Sequence, residues 1–112
     1  MTKYIFVYLG GEYPASPEEG QKHFAKYQEW LASLGSAVVS PAVPFKDTHT
    51  VHPDRSSEEG STAAMSGLSI ISMPSLGEAL AAAKSCPFLD IGGTLEVSEM
   101  LEMPSKPSYK QN

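Results

Sequence analysis

Two short stretches constrain this chain more than any others: SPEE at 16–19 and PSLGE at 74–78. In each, a serine stands three residues ahead of a glutamate, Ser16 before Glu19 and Ser75 before Glu78. The hydroxyl can accept the orphan N–H at the third helical position while the carboxylate reaches back, so each pair marks a helix start. Pro17 strengthens the first, because its fixed φ suits the opening residue of a helix. Beyond it, Phe24, Tyr27, Trp30, Leu31 and Leu34 recur at steps of three and four. That spacing predicts one apolar helix face, closed by Gly35. After the second start, Leu76, Leu80 and Ala83 predict an apolar stripe. This helix stops at Cys86-Pro87, since proline disfavours helical geometry in the residue before it.

Strand-like runs flank both helices. Residues 3–9 are aromatic and β-branched, 36–40 form a short run stopped by Pro41 and Pro44, and 67–73 are apolar. Residues 94–100 alternate, with Leu95 and Val97 on one face and Thr94, Glu96 and Ser98 on the other. The polar, Gly/Ser-rich stretch 45–62 predicts a mobile loop with room for a short hairpin near 48–52. The order is therefore β-α-β-β-α-β. Two right-handed crossovers over one antiparallel sheet predict a ferredoxin-like α+β sandwich. We expect one domain over 1–103 and a C-terminal tail over 104–112. Two helices cover only one sheet face, and a second copy of the chain is the simplest cover for the other. A homodimer would also help a chain of 112 residues, which alone buries only about two-thirds of its unfolded surface.

Charge narrows the function classes. Eight Lys and Arg against 13 Asp and Glu leave a net charge of −5, and no basic run exists. Nucleic acid and anionic membranes both need a positive footprint, so neither is an expected partner. A single cysteine makes no intrachain disulfide and demands no oxidising compartment. The opening apolar run ends at Gly10-Gly11, too soon for a signal peptide, and no window approaches a membrane span. The expected location is the cytoplasm.

The opening KYIFVYLGG, the stretch HFAKYQEWLASLG and above all LGEALAAAKSCPFLDIGGTLEV resemble the YCII-related domain family. The likeness spans roughly residues 3–103. It implies a small ferredoxin-like protein that forms a dimeric α+β barrel. It also implies a His–Asp pair lining a cleft between the first helix and the sheet. Related dimeric barrels include lyases, isomerases and monooxygenases acting on small aromatic or lactone-like compounds. The helical histidine of the family matches His23. Where many members carry Asp-Pro, this chain carries Cys86-Pro87, and the nearest carboxylate to that corner is Asp90.

Read from the residues, His23, Tyr27 and Trp30 share one helix face at steps of four and three. His23 is then a general acid/base or ligand donor beside a Tyr27 hydroxyl, or else a boundary residue of the core stripe. Asp90 would orient His23 across a cleft, or cap a turn. Gly92 and Gly93 would admit a ligand or the partner chain, or simply free the backbone entering the last strand. Cys86 follows a helix C-terminus, whose dipole disfavours thiolate, and reads as a structural residue. Asp47, His49, His52 and Asp54 suggest a metal at first sight. Two histidines three apart in an extended chain point to opposite faces, however, so we expect solvated side chains and no metal. No cofactor is expected. Glu96, Glu99 and Glu102 read as a solvated face. Two functions follow: a dimer binding a small organic molecule, with lyase- or isomerase-type acid/base chemistry at His23, or a non-catalytic interaction module. In the latter, Phe24, Tyr27 and Trp30 would fill the same cleft.

Overall fold

The computed structural model describes residues 1–101, and the expected tail 104–112 lies outside the described residues. The elements run β1 (Thr2–Gly10), α1 (Pro17–Leu34), β2 (Val38–Pro44), β3 (His49–Val51), β4 (Ser57–Glu59), β5 (Met65–Met73), α2 (Leu76–Lys84) and β6 (Gly93–Glu99). Short 3-10 turns at Gly35–Ala37 and Pro87–Ile91 lead into β2 and β6. The main sheet has the order β2-β5-β1-β6 and is antiparallel throughout. With the β3–β4 hairpin set aside, this is the ferredoxin-like α+β topology.

Both helix starts follow from their caps. The Ser16 hydroxyl accepts the Glu19 N–H at 3.2 Å, and Ser75 accepts that of Glu78 at 3.3 Å. Gly35 closes α1 in the positive-φ region, at φ 57°, and donates its N–H to the Leu31 and Ala32 carbonyls.

Alternation along β1 buries Tyr4, Phe6 and Tyr8 under the helices. Across the register they face Ile71, Ser69 and Gly67 of β5, and Phe6 and Tyr8 face Val97 and Leu95 of β6. Trp30 of α1, the small residues Ala79, Ala82 and Ala83 of α2, and Cys86 complete the core. Fully burying a side chain such as Phe6 or Ile71 stabilises the fold by roughly 1.5–3 kcal/mol. The opposite sheet face carries Ile5, Val7 and Leu9 with Leu68 and Ile70, all only partly covered.

Three expectations need correction. Of the expected α2 stripe only Ala83 is buried, because Leu76 and Leu80 stay exposed while Ala79, Ala82 and Ala83 face the core. Small residues let α2 approach closely enough for the Trp30 indole N–H to donate to the Ala82 carbonyl at 3.0 Å. β2 does not stop at Pro41 but runs to Pro44. It is an edge strand whose register shifts between Ser40 and Val43, and a bulged edge is where proline's missing N–H costs least. Finally, the stretch 45–62 is not a simple loop. Its β3–β4 hairpin pairs His49 with Glu59 and Val51 with Ser57. The Asp54 carboxylate accepts the Ser56 N–H and hydroxyl across the turn, which holds it below the usual carboxylate range. No helix of the described residues is long and apolar enough to cross a membrane.

Candidate functional site

An open cleft of about 410 Å³ lies between α1 and the β2–β5 side of the sheet. His23, Phe24 and Tyr27 border it from α1, Tyr8 from β1, Ala42 and Pro44 from β2, and Phe88 from the 3-10 turn. Phe24 is not tucked into the core, being 61 % exposed, and stands at the cleft rim. The cleft is thus not filled by the aromatic residues of α1.

Two of its lining residues, Tyr8 and Tyr27, join buried Ser69 in a cluster of three hydroxyls. The Tyr8 hydroxyl lies 2.5 Å from the Tyr27 hydroxyl and 2.5 Å from Ser69 Oγ, and the Tyr27 and Ser69 oxygens are 3.1 Å apart. Ser69 is fully buried and Tyr8 nearly so, whereas Tyr27 is half-buried. Burial pushes the Tyr8 phenol far above its ordinary range, outweighing the Ser69 hydrogen bond that pulls it down. Tyr27 is raised for the same reason. Both phenols therefore keep their protons through neutral and moderately alkaline pH.

A second recess of about 270 Å³ adjoins His23 on its other side, bordered by Glu12, Tyr13, Pro14, Glu19, Asp90 and Ile91. His23 is therefore common to a mostly apolar cleft and an acidic recess, and Asp90 shares the recess with it. Among the described residues no hydrogen bond joins His23 to Asp90. The Glu19 carboxylate also accepts the Ala15 N–H at 3.3 Å, so it serves the helix start as well. Neither lining includes a lysine or arginine.

The other residues singled out from sequence lie elsewhere. Trp30 is 5 % exposed and packs against Phe6 and Tyr27, away from the cleft wall. Gly92 ends the 3-10 turn at φ 78°. Gly93 makes room for the Phe88 ring, which a Cβ there would overlap. Gly92 thus supplies a left-handed cap and Gly93 the space for Phe88. Gly11 faces the same ring, and a Cβ there would sit 2.8 Å from two of its carbons. Phe88 in turn lies 5.0 Å, centroid to centroid, from the Tyr8 ring and walls the cleft. Cys86 is 2 % exposed, and burial pushes its thiol up to about 11. In the hairpin, His52 Nε2 contacts the Glu58 carboxylate and His49 Nδ1 contacts the Asp47 carbonyl.

Tyr8 and Ser69 were not among the candidates drawn from sequence. Ser69 does carry a signal: it falls on the inward phase of LSIIS, where alternation calls for an apolar residue. A buried hydroxyl needs a partner, and Tyr8 and Tyr27 supply it.

No family model and no curated protein matches the chain. Among solved structures it is similar to 5-chloro-2-hydroxyhydroquinone dehydrochlorinase from Burkholderia phenoliruptrix AC1100, in complex with 2,5-dihydroxybenzoquinone. The TM-score is 0.57 at 14% identity, over 90% of this chain and 95% of that one. At this identity the likeness is one of fold, and it agrees with the ferredoxin-like α+β topology.

Proposed function

We propose that this chain is a YCII-related protein, one domain over 1–103, that binds a small uncharged organic molecule in the cleft beside His23. The observation that carries the reading is the open cleft itself, with mostly apolar walls bordered by one imidazole, His23, and by two tyrosines whose hydroxyls meet. His23 acts as proton donor or acceptor in lyase- or isomerase-type chemistry, and Asp90 across the adjoining recess orients the imidazole once a ligand tightens the site. The solved structure of similar fold holds a small quinone, which supports the ligand class. The filled-cleft interaction module loses its main support, since Phe24 stands at the rim and Trp30 in the core.

The same reading makes the chain a cytoplasmic homodimer joined through the outer sheet face. Ile5, Val7, Leu9, Leu68 and Ile70 form a partly covered apolar surface there, flanked by exposed Val39 and Val43. Thermal-shift screening of untagged protein against small aromatic and lactone-like compounds tests the ligand claim, because a specific binder raises the midpoint by mass action. A compound that stabilises wild type and loses its effect in His23→Ala supports the assignment. Uniform indifference to the whole set contradicts it.

A further inference from the structure

From the three-hydroxyl cluster we infer that Tyr8, Tyr27 and Ser69 are specificity-determining residues that select a ligand carrying an O–H or N–H donor over one offering only acceptors. This rests on the small-molecule reading above and deepens it. Three oxygens make three contacts, at 2.5, 2.5 and 3.1 Å. Three hydroxyls own three protons, one each, and a closed ring of three hydrogen bonds consumes all of them. Every oxygen then donates once and accepts once. What the ring still offers is lone-pair capacity, and it offers it toward the cleft, because Tyr8 and Tyr27 line that space while Ser69 is sealed behind them.

Water cannot refill the count from behind, since Ser69 has no exposed surface. Ionisation does not change it either, because burial holds both phenols protonated. A ligand hydroxyl or amine can donate into the ring without breaking a bond. A ligand ether or carbonyl finds no free proton there and must break one of the three contacts to gain one. An anion finds no free proton in the ring and no lysine or arginine in the lining, where His23 alone brings an N–H side chain. The class that fits is a small ring, apolar on its faces, bearing a hydroxyl or amino group.

Removing one member of the ring changes its sign. Tyr8→Phe leaves two hydroxyls and one contact, so one proton is freed for a ligand acceptor. Ser69→Ala and Tyr27→Phe have the same effect on the count. Each variant should therefore lose preference for donors and gain affinity for acceptors, which no purely structural role of these residues would produce.

The probes are phenol, aniline, anisole and benzoate, titrated into the untagged full chain while amide shifts of cleft residues are followed by NMR. Wild type should bind phenol and aniline more tightly than anisole by roughly three- to tenfold, the span of one net hydrogen bond, and benzoate weakest of all. In Tyr8→Phe the phenol-to-anisole ratio should fall to about one or below, and Tyr27→Phe, on the half-buried helix surface, repeats the test if Tyr8→Phe fails to fold. Equal binding of phenol and anisole by wild type, or an unchanged ratio in a folded variant, overturns this inference and leaves the cleft reading standing. Binding of none of the four overturns both.

Discussion

The packing around Phe88 can be tested by adding one methyl group. Gly93 opens β6, and an alanine Cβ there would overlap three atoms of the Phe88 ring. The ring has little room to retreat, since a Cβ built at Gly11 would also come within 2.8 Å of it and the Tyr8 ring lies 5.0 Å away. The backbone of Gly93 is not in the positive-φ region, so Gly93→Ala carries no conformational strain of its own. The cost is steric. Overpacking of this kind typically costs about 1–3 kcal/mol. Phe88→Ala removes a half-buried ring and should cost about 2 kcal/mol, below the range for a fully buried Phe. In the double variant the overlap is gone, so Gly93→Ala should cost close to nothing in the Phe88→Ala background. The coupling is then of opposite sign to the single effects and roughly 1–3 kcal/mol in size. Urea unfolding of the four proteins measures it, provided the m-values agree. A Gly93→Ala cost that persists undiminished without Phe88, or no cost in wild type, would refute the packing argument. It would also return Gly93 to the pool of candidate ligand contacts.

Other outcomes follow from the core. The Cys86 thiol titrates near 9.0 when unfolded and is pushed up to about 11 by burial in the fold, so unfolding releases a proton between these values. Stability should fall as pH rises through that window, more in wild type than in Cys86→Ala, and pH-dependent thermal melts check the difference. The same burial predicts negligible labelling of Cys86 by a thiol reagent at neutral pH in native protein and full labelling in urea. Trp30→Phe deletes the indole donor to the Ala82 carbonyl and part of a buried ring, and should cost about 1–3 kcal/mol in urea unfolding. The Ser85 N–H and hydroxyl still bond that carbonyl, which keeps the loss from growing further.

What the sequence made legible was local. Ser16 and Ser75 announce their helices because a cap is settled within four residues, and the alternation of Tyr4, Phe6 and Tyr8 needs only one strand. What stayed hidden depended on partners distant in the chain. Pro41 marks a strand end unless the strand is known to lie at the edge of the sheet, a fact decided by β5 some 25 residues on. Leu76 and Leu80 look like the buried face of α2 until Trp30 is seen to require the alanine side instead. Spacing alone placed His23 and Tyr27 on one helix face, and the cleft beside that face was implied only by the family resemblance. Their polar neighbours Tyr8 and Ser69 are 61 residues apart and meet only through the β1–β5 register.

In the proposed function His23 faces a ligand. The most direct measurement is a titration of uniformly labelled protein with phenol while the ring carbon–proton signals of His23, His49 and His52 are followed separately. His23 borders the cleft, whereas His49 and His52 sit in the hairpin. The His23 ring signals should move with the same saturation curve as the cleft amides while those of the two hairpin histidines stay still. Ring signals of His23 that hold their positions while phenol saturates the protein would place binding elsewhere and contradict a ligand role for His23.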